Sequence, residues 1–104
     1  MANNKLSITN KSASVLSASL NTWGSSDGNA SFFQIETGVT ETWTRHDSRG
    51  YVLYLKQGGS EEPFYVVTGS NITFVSMSNV VDNGQLIKPV SAPVPSRADV
   101  SVAK

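Results

Sequence analysis

The chain has 104 residues, enough for one domain with a modest core, and its formal net charge is zero. No cluster of Lys and Arg is present, so we expect no nucleic-acid partner. The absence of cysteine excludes disulfides, thiolate zinc sites and cysteine nucleophiles. No apolar run is long enough for a transmembrane segment, and no signal-peptide pattern is visible at the N-terminus. We therefore expect one domain over residues 1–104 that carries no cofactor.

Short β-type runs, separated by turn residues, follow one another along the chain, and helical periodicity is almost absent. Turn signals are strongest at Asp27-Gly28 and at Asn83-Gly84, and the Gly-rich segment 57–63 is predicted to be a loop. The predicted strands are 5–10, 15–23, 30–36, 39–45, 51–56, 64–68, 72–79 and 85–88. This spacing predicts an all-β protein, an antiparallel β-sandwich of about seven to nine strands with no significant helix.

The composition changes near the C-terminus, where three of the four prolines follow Lys88. Proline cannot donate to a central ladder, and the alternation of apolar residues is weak. We expect residues 90–104 to form either a loose edge strand or a mobile tail, and the composition favours the tail.

A five-residue polar run, 46–50, separates strands 39–45 and 51–56, which the sequence predicts to pair as a hairpin. In one register Trp43 faces Leu53 in the core, and the outer face holds threonines, Tyr54 and a lysine. In the other register Trp43 faces Val52 and lies exposed between two charges. A slip of one residue exchanges the two faces, and the first register is favoured because it buries the tryptophan.

The same segment carries the first candidate binding site. Stacking of sugar C–H groups on an aromatic ring, with hydroxyls paired to charged groups, requires this combination of residue types. The candidate carbohydrate-binding residues are Trp43, Arg45, His46, Asp47, Arg49 and Tyr54.

A second candidate lies in residues 22–33, where an aromatic plate stands near an acceptor and an amide. Its residues are Trp23, Asp27, Asn29 and Phe32. The alternative interpretation is an ordinary hairpin turn with a phenylalanine on the solvent side, because Asp-Gly-Asn is common turn chemistry.

Catalytic and metal sites are not indicated. His46 and Asp47 are neighbours on a turn, which rarely orients a base and its partner, and no nucleophile-elbow motif is present. A single histidine cannot make a metal site, and the nearby acids lack ligand spacing. We expect no enzymatic activity and no bound metal.

Two long stretches carry a family resemblance, "MANNKLSITNKSASVLSASLNTWGSSDGN" and "ETWTRHDSRGYVLYLKQGG". Together with the chain length, they resemble the small haemagglutinin lectins of plasmodial slime moulds. The resemblance implies a secreted carbohydrate-binding protein with a jelly-roll β-sandwich akin to legume lectins and galectins, acting on glycans of glycoproteins or cell surfaces. The metal site of legume lectins and the galectin sugar-binding pattern are both missing, so no family residue is carried over. Because agglutination needs at least two sites, a homodimer or two sites per chain would follow.

A second resemblance supports a different class of function. Actinoporin-like and aegerolysin-like β-sandwiches also open with an "ITN-S" strand, carry an "I-x-x-G" turn such as Ile35–Gly38 and place tryptophans in loops. Those proteins bind membrane lipids, for which interfacial aromatic loops are suited. The missing amphipathic N-terminal helix and the missing basic patch count against this alternative. A plain structural or interaction domain is the third interpretation.

Overall fold

A computed structural model describes residues 4–23 and 30–90, which form nine β-strands and, within these ranges, no helix. The strands are β1 Lys5–Asn10, β2 Leu16–Leu20, β3 Phe33–Ile35, β4 Thr40–Thr44, β5 Tyr51–Gln57, β6 Ser60–Val66, β7 Asn71–Ser76, β8 Asn79–Asp82 and β9 Gln85–Ile87. The predicted all-β class and the predicted number of strands are confirmed.

The strands form two sheets that share one core. The five-stranded sheet has the order β4-β1-β7-β8-β9, and the four-stranded sheet has the order β3-β2-β5-β6. All neighbours are antiparallel except β1 and β7, which run parallel. The molecule is therefore a sandwich with mostly antiparallel pairing, as the sequence predicts.

The core lies between the sheets and is built from alternate residues of the strands. Leu16, Ala18 and Leu20 point inward from β2, while Leu53 and Leu55 do so from β5. Each fully buried Leu, Ile or Phe contributes roughly 1.5–3 kcal/mol to stability through the hydrophobic effect. This period-two pattern fixes which side chains of the four-stranded sheet face solvent, and the candidate site described below depends on it.

The predicted hairpin of strands 39–45 and 51–56 is wrong. β4 pairs with β1, whereas β5 pairs with β2 and β6 in the opposite sheet. Alternation tells which face of a strand is buried but not which strand lies beside it. Here the polar run crosses from one sheet to the other, so Trp43 and Leu53 meet the core from opposite sides. The predicted burial of Trp43 is nevertheless confirmed, at 8% exposure.

The predicted loop over residues 57–63 is also wrong. Only Gly58 and Gly59 form the turn, both with positive φ, and β6 begins at Ser60. Pro63 fits in this strand because β6 is an edge, where no ladder donor is needed on the outer side. The Pro63 carbonyl accepts a hydrogen bond from the Val90 N–H at 2.8 Å.

The Asn83-Gly84 turn is confirmed. It connects β8 to β9 as a two-residue loop, with φ of 52° at Asn83 and 87° at Gly84. The predicted run 72–79 is interrupted by a turn between β7 and β8 that the sequence did not indicate. The prediction for the tail falls almost wholly on residues 91–104, which lie outside the described residues, as do Asp27 and Asn29.

Candidate functional site

The segment from Arg45 to Gly50 crosses from the five-stranded to the four-stranded sheet at one end of the sandwich. Two hydrogen bonds shape it: the Asp47 N–H donates to the phenolic oxygen of Tyr51 at 2.9 Å, and the Gly50 N–H donates to the Asp47 carbonyl at 3.4 Å. Gly50 has φ of 93°, a conformation that favours glycine. The segment therefore closes as a compact corner, which we call the crossing corner.

Arg45, at the inner end of the crossing corner, is buried. Its guanidinium donates to the carbonyl oxygens of Leu20 at 3.0 Å, Asn21 at 3.1 Å and Thr44 at 3.1 Å. These acceptors belong to the ends of β2 and β4, so the side chain joins the two sheets. At 2% exposure Arg45 is inaccessible to a ligand.

Arg49, at the outer end, is 61% exposed and is held by Asp47. Its Nε donates to Asp47 Oδ1 at 2.9 Å and its Nη2 donates to Oδ2 at 2.6 Å, while its backbone N–H also donates to Oδ1. These hydrogen bonds from Arg49 hold the pKa of Asp47 at about 2, below its usual value. The two charges therefore form a fixed ion pair at any pH above that range.

Trp23 packs under this ion pair. The guanidinium carbon of Arg49 lies 3.6 Å from the centroid of the indole ring, a close cation–π contact. The indole Nε1–H donates to the Gly50 carbonyl at 2.7 Å. The two sequence-derived clusters, one around residue 46 and the other around residue 23, thus meet at the crossing corner.

Tyr65 supports the corner from β6. Its hydroxyl donates to the Arg49 carbonyl at 2.9 Å, and its ring lies where a Cβ on Gly50 would be. The sequence predicts Tyr65 in a strand but not in a site, because its proximity to Arg49 depends on the pairing of β5 with β6. The signal in the sequence that could have indicated Tyr65 is an aromatic residue at an outward-facing position of a predicted strand.

The outer surface of the four-stranded sheet carries a group of exposed rings. Tyr54 on β5 lies opposite Ser19 of β2 and Pro63 of β6, and Tyr65 lies diagonally from it, at about 7 Å. Phe32, immediately before β3, lies at the other side. We call this surface the aromatic face; its rings and their exposures are Trp23 44%, Phe32 41%, Tyr54 38% and Tyr65 54%, with Pro63 between them.

Polar groups surround these rings. The Lys56 ammonium lies 4.3 Å from the centroid of Phe32, and Lys56 also faces Glu61 across the pairing of β5 and β6. Gln34 and Ser17 continue the same row across β3 and β2. The aromatic face therefore offers donors, acceptors and apolar plates side by side.

The other predicted site residues lie elsewhere. Trp43 is buried and makes an edge-on contact with Phe33, their ring centroids 6.2 Å apart. His46 is exposed in the crossing corner. Of the ten residues named from the sequence, those on or beside the aromatic face are Trp23, Phe32, Asp47, Arg49 and Tyr54.

Within residues 4–23 and 30–90, no group of three or more His, Cys, Asp or Glu side chains is arranged to hold a metal ion. In the same part of the chain, no helix has the length and apolar character that a membrane span requires. No protein-family model matches the chain, and no curated protein or solved structure is significantly similar to it.

Proposed function

We propose that the chain is a lectin: a non-catalytic, metal-independent protein that binds glycans of glycoproteins or cell surfaces through the aromatic face. The observation that carries the proposal is the set of four exposed rings on one sheet surface. Isolated exposed aromatics are ordinary in soluble proteins, whereas a contiguous group bordered by polar side chains is typical of a binding surface.

The chemistry of the face suits a sugar. The negative face of an aromatic ring attracts the polarised C–H groups on one side of a pyranose, while the hydroxyls on the ring edge need donors and acceptors. Tyr54 and Tyr65 supply ring surface, and the Asp47–Arg49 pair supplies an acceptor and a donor beside them. A polar ligand with an apolar side is therefore a better match to this face than a wholly apolar one.

Cell agglutination by such a protein requires two binding sites on one particle. One such face per chain binds one glycan terminus, so we propose a homodimer as the agglutinating species. A protein that acts on cell-surface glycans works outside the cell, and we therefore place its action there.

The experiment is a glycan-array measurement on the wild type, Tyr54→Ala and Leu86→Ala. Leu86 is the matched control, because it is an exposed apolar residue on the outer surface of the five-stranded sheet. We expect Tyr54→Ala to weaken binding on the order of tenfold, equivalent to about 1.4 kcal/mol, and Leu86→Ala to leave it unchanged. Both variants should keep the wild-type circular dichroism spectrum, and a chelator should have no effect.

The outcome that contradicts the proposal is a wild type that binds no glycan on the array. Sedimentation with vesicles of neutral phospholipid, free of glycolipid, would then test the membrane-lipid alternative, for which exposed aromatics are also suited. Equal loss of glycan binding in both variants would also contradict the assignment of the site to the aromatic face.

A further inference from the structure

The ion pair of Arg49 and Asp47 lies at the edge of the aromatic face and bears on which glycans the face accepts. Arg49 rests on Trp23, and its backbone carbonyl is held by the Tyr65 hydroxyl. A glycan that stacks on Tyr65 would therefore meet this pair first.

Asp47 occupies one edge of the Arg49 guanidinium. It takes hydrogen bonds from Nε and Nη2, which together form the side-on fork that would otherwise bind a carboxylate or a sulfate in two places. Nη1 makes no hydrogen bond within the described part of the chain. The pair thus still presents a donor, and Asp47 retains free lone pairs as an acceptor.

The face carries charges of both signs. Asp47 cancels Arg49, and Glu61 stands opposite Lys56 in the neighbouring row. Glu36, which directly follows β3, is a further exposed carboxylate. An anionic ligand would find Arg49 already neutralised by Asp47, whereas uncharged hydroxyls can pair with both members of this ion pair.

We infer that Asp47 is a specificity-determining residue, which restricts the proposed glycan site to uncharged glycans by neutralising Arg49. The inference rests on the proposed function. A terminal carboxylated sugar would bring its charge close to Asp47, and the repulsion would oppose any gain from Arg49. A neutral terminus pays no such penalty and keeps the same stacking contacts.

The experiment compares glycans in pairs that share one structure and differ only by a terminal sialic acid. Binding of both members is measured at pH 8, in low and in high salt. For the wild type we expect the neutral member to bind on the order of tenfold more tightly than the acidic one.

Asp47→Asn is the test variant. Asparagine keeps the Oδ1 acceptor for the Arg49 backbone N–H, so the corner should retain its shape while Arg49 loses its counter-charge. We expect the acidic member to gain on the order of tenfold in affinity, and the gain to shrink in high salt. Glu41→Gln is the matched control, because it removes one exposed negative charge from β4, in the other sheet, and should leave the preference unchanged.

The outcomes separate the two proposals. If neither member of any pair binds, both the lectin function and the inference are overturned. If the wild type binds the acidic member as well as the neutral one, the inference fails and the lectin function stands. If Asp47→Asn folds and the preference is unchanged, or changes equally in Glu41→Gln, the inference also fails. The wild-type preference alone decides the matter should Asp47→Asn not fold.

Discussion

Arg45 and Arg49 lie four residues apart in the same crossing corner, and the structure uses them in opposite ways. Arg45 is buried and donates to three backbone carbonyls at the ends of two sheets. Arg49 is mostly exposed and bonds to a carboxylate two residues away. Losing the hydrogen bonds of Arg45 destabilises the fold strongly because they are at least partly buried. Losing those of Arg49 has a small effect on stability because solvent can replace them.

The comparison shows that a residue type near a binding surface does not by itself indicate binding. Both arginines have the planar fork of donors that suits a sugar or a carboxylate. Arg45 uses its guanidinium donors to join β2 to β4, so the stability of the sandwich depends on this side chain. Part of the Arg49 guanidinium is exposed to solvent, so a ligand can reach it.

The largest expected effect is that of Arg45→Met, which should destabilise the fold by about 4 kcal/mol. The substitution fills similar space but removes these donors from a buried carbonyl of Leu20 and from partly buried carbonyls of Asn21 and Thr44. Urea unfolding followed by circular dichroism measures the loss. The matched variant Arg49→Met should lose far less, because its ion pair and its cation–π contact are solvent-exposed. Equal losses in the two variants would contradict the division of roles.

Gly50→Ala should have the next largest effect, about 3 kcal/mol of destabilisation. At the outer end of the crossing corner, stability depends on the backbone conformation and not on the arginine side chain. Gly50 has a positive φ, and a Cβ there would overlap the Tyr65 ring.

Gly38→Ala is the control for backbone strain alone. Gly38 has φ of 83°, and nothing lies within 4 Å of an added Cβ. We expect it to lose about 1 kcal/mol in the same urea measurement. If Gly50→Ala loses no more stability than this control, the Tyr65 ring does not pack against Gly50 in solution.

The sequence predicts the fold class well because burial alternates in strands. The sequence predicts Trp43 in the core and a hairpin turn at Asn83-Gly84, and both predictions are confirmed. What the sequence does not predict is strand pairing. Trp43 and Leu53 have the same alternation whether their strands pair or lie in opposite sheets, so the sequence predicts a hairpin turn for the polar run between them.

The candidate site shows the same limit. Trp23 and Arg49 were each named from local chemistry, but in separate clusters. Their contact depends on β5 pairing with β2, a long-range relation that the local pattern does not contain. The sequence does not indicate Tyr65 for the same reason, and its Gly-rich composition predicts the segment before Tyr65 to be a loop.

The smallest expected effect concerns acid. Arg49 holds the pKa of Asp47 at about 2, below the usual 3.8, so the folded state favours the ionised carboxylate. A carboxylate with a lowered pKa in the folded state stabilises the fold above its unfolded value, and this contribution is lost as the pH falls from about 4 to about 2. The melting temperature of the wild type should therefore exceed that of Asp47→Asn at pH 6, and the difference should vanish near pH 2. Arg49→Met removes the partner of Asp47, so the melting temperature of this variant should lack the stabilisation by the ion pair that the wild type loses between about pH 4 and about pH 2. A difference that persists at pH 2 would mean that it does not come from the ion pair.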